Sequence, residues 1–506
     1  MAVLVIAACL LVGALPFFAA LASVGEDPAL VWETATSPRV LELLGRTIQL
    51  GLGVALVSAL IGVPVARAVV RRHGPLARSL GSLLPLPLIL PQWILGVAWS
   101  RYLELRGYPG AVFLLSASLW PIVALFAARG FRQAGVAADA ARLARGPLKA
   151  FLHVELPLAR PSILSGMLLV FVFASTDFGV CDFLSFYDTE PFTVLPMEVF
   201  QKWKNLQGAA AGAAVSIPSV VPSLVALALL LVVERRSQGT FRGTRVGSGA
   251  ALRNGPGAVL GLTAALALIL LPLFVLISWS TDSPDPWAEI ARTGDDTLRS
   301  VQVGALAGLI IAVLGVATAR LSLRLGAWGE TALLGLVLLP LAAPPVMFGV
   351  GQIRIWNHPA NPFAEAMYPS PLLLALAAAG RYLPIGVLAV RALLRRQDEA
   401  PSEAARLTGR PAWRRALSVE IPRLLPATGL AFALGYLLTL RELDLTQMVP
   451  AGSSTLISRI FGFVHISADH VTAVLCLLLL SLVLVPAAAA RILGVPGLDA
   501  GPGPDA

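Results

Sequence analysis

The sequence predicts an all-α polytopic membrane protein with about twelve transmembrane helices arranged as two parallel six-helix repeats. Three observations carry this expectation. Of 506 residues, 57% are apolar and only 13% charged, with a mean hydropathy of +0.79. The apolar residues fall into twelve separate long runs, and the chain resembles itself at an offset of 253 residues. Soluble domains average about 45–50% apolar and ~25% charged residues, and disordered chains need few apolar residues and many charges, so both classes are excluded.

A membrane-spanning helix takes about 20 mostly apolar residues. The qualifying runs are 2–23, 47–70, 79–99, 110–128, 161–184, 209–233, 256–279, 301–322, 329–351, 371–393, 424–445 and 471–493. Lipid satisfies no backbone hydrogen bonds, so only helices and closed barrels span it, and runs this continuously apolar lack the alternation of a barrel strand. The first run has no basic n-region and is expected to be a retained span rather than a signal peptide.

The net charge of +9 comes from 35 Arg and only 3 Lys spread between the apolar runs. That distribution is a topology signal rather than a nucleic-acid footprint. The even-numbered connections, with the last turns of the spans leading into them, hold 25 of these residues, and the odd-numbered ones hold 11. By the positive-inside rule the even connections and both termini are cytoplasmic. The cysteines Cys9, Cys181 and Cys476 are far apart and form no CxxC, so neither a metal site nor a disulfide framework is expected.

The repeat is specific. R46-TIQLG…IGVPVAR-67 lies over R299-SVQVG…LGVATAR-320, and the same offset pairs Pro87 with Pro340, Pro91 with Pro344 and Gly96 with Gly349. Farther on, Pro157/Pro422, Pro161/Pro426 and Asp177/Glu442 match at 265, which implies an insertion around 352–370. Six spans separate the copies, so they run the same way through the membrane. The expected organisation is a first half 1–234, a basic, Gly-rich cytoplasmic linker 235–255, a second half 256–495 and a short tail 496–506.

Within this frame the fourth and tenth connections, 136–157 and 398–422, are long, cytoplasmic and alike. The second reads S402-EAARLTGRPAWRRALSVEIP-422. Ser402 suits an N-cap, Glu403 suits the positive helix end, and Gly409 and Pro411 stop the helix. A second short helix, 412–419, is expected to run to Pro422. The first loop, D139-AARLARGPLKAFLHVELP-157, follows the same plan, with Arg145 where Gly is expected and Gly146 one place late.

E-A-A, three residues, Gly, then a stretch ending in I/V-x-L/I-P resembles the EAA loop of permease subunits in ATP-binding-cassette importers. The residues that carry the resemblance are Glu403, Ala404, Ala405, Gly409 and Pro422, and more loosely Asp139, Ala140, Ala141, Gly146 and Pro157. Two such halves in one chain are similar to the fused permeases of ferric iron, thiamine, phosphonate and polyamine importers. The resemblance implies the MetI-like permease fold in a bacterial inner membrane. It also implies two copies of a separate ATPase docked on the loops and an external solute-binding protein on the outer connections, with ferric iron favoured as solute. ATP and magnesium would belong to the partner: a P-loop needs G-x-x-x-x-G-K-[ST], and the only lysines, Lys149, Lys202 and Lys204, are followed by Ala, Trp and Asn. The chain itself is expected to bind no cofactor, to hold no metal and to be no enzyme.

Charges inside a bilayer normally face the bundle interior. Asp177, Arg441, Glu442 and Asp444 are therefore candidates for lining the pathway, while Arg381 suits an internal salt bridge or snorkelling. Pro85, Pro87 and Pro91, and Pro340, Pro344 and Pro345, interrupt spans three and nine. His465, Asp469 and His470 read as loop residues rather than a metal site. The competing reading is an ion-gradient-driven secondary transporter, which would carry coupling charges near the midplane and would not need paired loops.

Overall fold

A computed structural model describes residues 2–25, 27–70, 86–88, 91–100, 102–187, 192–204, 209–240, 256–395, 397, 400–407, 409, 411–449, 454–466 and 469–492. Among them no strand occurs, and ten helices are long and apolar enough to cross a membrane. A further pair, Ala327–Ala342 and Pro345–Trp356, is long and apolar enough when taken together and is bent by 104°. Residues 79–85 and 89–90 of the third expected span, the linker beyond residue 240 and the tail lie outside the described residues.

The compact units differ from the halves of the sequence. One contains 1–22, 283–341 and 345–506; the other contains 23–282 and 342–344. The first span, Ala2–Leu21, thus belongs with the second half, and Pro256–Thr281 packs with the first half against Pro38–Val70. Polar anchors explain where the first span sits. Cys9 Sγ lies 3.1 Å from Thr318 Oγ1, and Gln352 Nε2 donates to the Val12 carbonyl at 3.3 Å. That carbonyl is available because Pro16, four residues on, has no N–H. Gly380 presents no Cβ where the Val12 carbonyl approaches.

The two units share an internal plan. In one, Pro38–Val70 packs on Gly107–Gln133 and Pro147–Ser175; in the other, Gly294–Arg324 packs on Pro371–Leu394 and Ala412–Leu440. The repeat-related Thr47 and Ser300 each accept the backbone N–H that opens a short helix: Leu195 at 3.0 Å for Leu195–Lys204, and Leu456 at 2.7 Å for Leu456–His465. A buried hydroxyl thereby satisfies a helix-end donor that has no intrahelical partner.

The proline breaks are also repeated, and each is supported from the following span. Pro91 and Pro344 cannot donate to the carbonyls of Pro87 and Pro340 four residues earlier. Ser118 Oγ donates to the Pro87 carbonyl at 3.2 Å, and Arg381 Nη1 to the Pro340 carbonyl at 3.3 Å. Arg381 is 3% exposed, so it does not snorkel. It serves the backbone that the proline leaves unpaired.

Candidate functional site

At the basic end of each unit lies the loop singled out by its sequence. In the first, Gly135–Arg145 is helical, as its alanines and arginines favour, with Gly135 and Ala138 buried. Gly146 ends it at φ +78°, its N–H bonded to the Arg142 carbonyl at 3.0 Å. In the second, Ala400–Leu407 is helical and Gly409 follows at φ +68°. Gly146 therefore takes the same left-handed position as Gly409, and the one-residue displacement is absorbed by a longer helix. A side chain at such a positive φ costs about 1–3 kcal/mol. Gly146→Ala and Gly409→Ala are accordingly expected to loosen their loops equally, read as faster amide exchange over 135–145 and 400–407 respectively.

Two local expectations need correction. Ser402 is not an N-cap: the helix begins at Ala400, and the Ser402 hydroxyl accepts from Arg423. The segment 412–419 does not stop at Pro422 either. Ala412–Arg415, a wide π-helical stretch Ala416–Glu420 and Ile421–Leu440 follow one another without interruption. The first loop does the same through Pro147–Ala150, the π-helical Phe151–Glu155 and Leu156–Ser175. Pro157 and Pro422 lack the donor an α-turn requires, and a π-bulge accommodates that loss. Spans five and eleven consequently begin earlier than expected, and they end at Ser175 and Leu440 rather than 184 and 445.

Inside these bulges stand residues whose importance the sequence reading missed. Glu155 is fully buried between Arg67, 3.2 Å away, and Arg142, which also pairs with Asp139 at 3.2 Å. The Arg67 guanidinium lies 4.2 Å from the centre of the Phe151 ring. In the other unit Glu420 pairs with Arg320 at 3.0 Å, both about one-third exposed. Arg67/Arg320 was visible as a repeat pair at 253. Glu155/Glu420 matches at the 265 offset of the adjoining prolines, in V-E-L-P and V-E-I-P. These ion pairs join the basic end of the second span of each half to the loop and the span that follows it.

The outward faces of the loops are apolar at matching places. Leu143 is 92% and Leu407 89% exposed, and Leu148, Leu152, Trp413 and Leu417 are exposed as well. Ala140, Ala404 and Glu403 are exposed, Ala141 and Ala405 partly so; Glu403 has no partner among the described residues. Pro157 is half-buried and Pro422 exposed.

The polar residues at the far ends of spans five and eleven make capping contacts. Asp177 Oδ1 accepts from the Val180 N–H at 3.0 Å, and Glu442 Oε1 from the Leu445 N–H at 3.2 Å. Each carboxylate turns the chain into the short helix that follows, Gly179–Tyr187 and Asp444–Met448. Glu442 and Asp444 are buried, while Asp177 and Arg441 are partly exposed. His465 Nδ1 bonds the Phe461 carbonyl oxygen at 2.8 Å at the end of its helix, and Asp469 and His470 open Asp469–Ile492.

No protein-family profile matches the chain. Among curated proteins, the molybdenum transport system permease protein ModB of Mycobacterium tuberculosis is 28% identical over 222 residues, covering 40% of this chain and 78% of that protein. The molybdate/tungstate transport system permease protein WtpB of Thermococcus kodakarensis is 26% identical over 188 residues, 35% of this chain and 74% of its own length. An Fe(3+)-transport system permease protein of Haemophilus influenzae is 22% identical over 436 residues, 81% of this chain and 82% of that one.

Proposed function

We propose that the chain, by its relatives an inner-membrane permease of the ATP-binding-cassette importer type, forms the solute pathway from its two halves and is driven through loops 136–157 and 398–422. The observation that carries this reading is the repeat-related pair Leu143 and Leu407, almost wholly exposed on short helices otherwise rich in charge. An exposed apolar side chain presented twice, at matching places and at the basic end, suits docking into an apolar groove of a partner. Two loops suit two ATPase copies. Both termini lie on that cytoplasmic side, and a solute-binding protein delivers from the opposite face, over 280–300 and 446–468. Hydrolysis, with its magnesium, takes place on the partner.

The solute class follows from the relatives. The match to the ferric-iron permease runs through both halves, as one fused chain would require. Ferric iron is accordingly the first assignment. The molybdate and molybdenum permeases match over less than half of the chain at slightly higher identity, which makes a tetrahedral oxyanion the second.

Purification without crosslinking is expected to recover an ATPase with the chain. Vesicles containing both, supplied with the neighbouring binding protein, are expected to accumulate labelled ferric iron in proportion to ATP hydrolysis, with labelled molybdate as the competing arm. Uptake driven by an ion gradient in ATPase-free liposomes would refute the assignment in favour of a secondary transporter.

A further inference from the structure

At the end of the second half opposite its basic loop is a cavity of about 10 Å³, room for one water-sized occupant. Five oxygen-bearing side chains line it: Ser300, Thr439, Glu442, Thr446 and Thr455. They come from the span Gly294–Arg324, the last turns of Ile421–Leu440, the segment leading into and through Asp444–Met448, and the residue preceding Leu456–His465.

Two of these groups are unsatisfied. Thr439 and Thr455 are 5% and 4% exposed, and neither hydroxyl has a hydrogen-bond partner. Glu442, 7% exposed, accepts from the Tyr382 hydroxyl and the Leu445 N–H, and no ion pair reaches it among the described residues. Arg381 and Arg441 neighbour the Tyr382–Glu442 pair, and each charged group nearby has contacts of its own. Arg381 donates to the Pro340 carbonyl, Arg459 pairs with Asp296 at 3.2 Å, and Arg441 and Asp444 have interactions of their own.

A buried hydroxyl without a partner is costly, and a buried carboxylate without a countercharge more so. Water would satisfy the hydroxyls and leave the carboxylate without a directly bonded cation. A small cation satisfies both, because hydroxyl and carboxylate oxygens are hard donors. One carboxylate among neutral oxygens suits a single positive charge, and no cluster of three His, Cys, Asp or Glu able to hold a metal ion occurs among the described residues.

The repeat supplies a contrast. In the first half the positions matching Thr439, Thr446 and Thr455 are Ala174, Cys181 and Val194, and only Thr47 matches a hydroxyl, that of Ser300. The carboxylate (Asp177 for Glu442) and one hydroxyl are thus shared by both halves, and the three threonine hydroxyls are an addition to the second.

We propose that this cavity binds a sodium-sized monovalent cation through Glu442 and the hydroxyls of Thr439, Thr455, Thr446 and Ser300. The ion joins the outer ends of two spans to the helix Leu456–His465 and sets how firmly they hold together. This inference stands independently of the solute and of the ATPase.

The test is thermal unfolding of the purified full chain in sodium chloride against choline chloride at equal ionic strength. A ligand specific to the folded state raises the midpoint by mass action. At sodium tenfold above its dissociation constant the expected rise is about 3–6 °C. Thr439→Val and Thr455→Val, made separately, are expected to abolish the sodium-dependent rise. Line broadening of the ²³Na resonance by the unaltered chain provides a readout that needs no variant. Equal midpoints in the two salts without broadening, or a sodium-dependent rise that survives both substitutions, would overturn the proposal. An ordered water would then be the occupant.

Discussion

Glu155→Ala is expected to destabilise the protein by about 3–5 kcal/mol, whereas Glu420→Ala at the matching position costs about 1 kcal/mol or less. The difference lies in burial, since the local sequences are alike. Glu155 has no exposed surface and lies between Arg67 and Arg142, the latter only 10% exposed. Removing the carboxylate leaves two guanidinium groups facing each other in a low-dielectric site. Glu420 and Arg320 are 32% and 35% exposed, so water screens the pair and solvates either partner when the other is lost. At roughly 2–4 °C per kcal/mol for a unit of this size, the first variant should melt about 10 °C lower and the second within a few degrees of the parent. Equal losses in a thermal scan would show that the first pair is solvated after all. Because the pair ties one span to the loop preceding another, Glu155→Ala should also uncouple hydrolysis from uptake in whatever fraction remains folded.

Leu143→Asp and Leu407→Asp are expected to weaken ATPase binding by at least tenfold each, with the effects multiplying when combined. Fully burying a leucine contributes about 1.5–3 kcal/mol, and 1.4 kcal/mol corresponds to a factor of ten. In the proposed assembly the two sites contact separate ATPase copies, so their effects should add in free energy. Neither residue packs against its own unit, and the melting temperature of the isolated chain should be unchanged. Titration of immobilised permease with purified ATPase reads the affinity directly. A loss of binding accompanied by a fall in melting temperature would instead place the leucines in a structural role. Glu403 and Asp139 should differ in the same assay. Glu403 is exposed and without a partner among the described residues, so in the proposed docking its replacement acts on the ATPase contact alone. Asp139 pairs with Arg142, and its replacement disturbs the loop before it disturbs the partner.

Much of this architecture is legible in the chain. Apolar runs identify spans because lipid admits few alternatives to a helix, and the pairing of Arg67 with Arg320 and of Pro87 with Pro340 reveals the repeat. Both loops were located by E-A-A and its looser copy, and Gly146 and Gly409 were recognised as stops. The reading failed where proline was taken to end a helix. At Pro157 and Pro422 the backbone widens into a π-turn and continues, a choice that depends on the span beyond being held in place. At Asp177 and Glu442 the structure adds a contact that the sequence does not reveal, because a carboxylate at a span end caps a nearby N–H. The assignment of the first span to the second half was not legible, since apolar spans are chemically interchangeable. Its address is written in a few polar contacts, those of Cys9 with Thr318 and of Val12 with Gln352.

By itself the sequence determined the all-helical membrane class, the internal repeat and the paired loops, because each is periodic or compositional and survives any local rearrangement. Only the tertiary structure decided which span joins which unit, which of two matching glutamates is buried, and which hydroxyls are left without partners around Glu442. These depend on distances between residues far apart in the chain. In a membrane, where apolar packing scarcely distinguishes one helix from another, the polar contacts at proline breaks and span ends settle them.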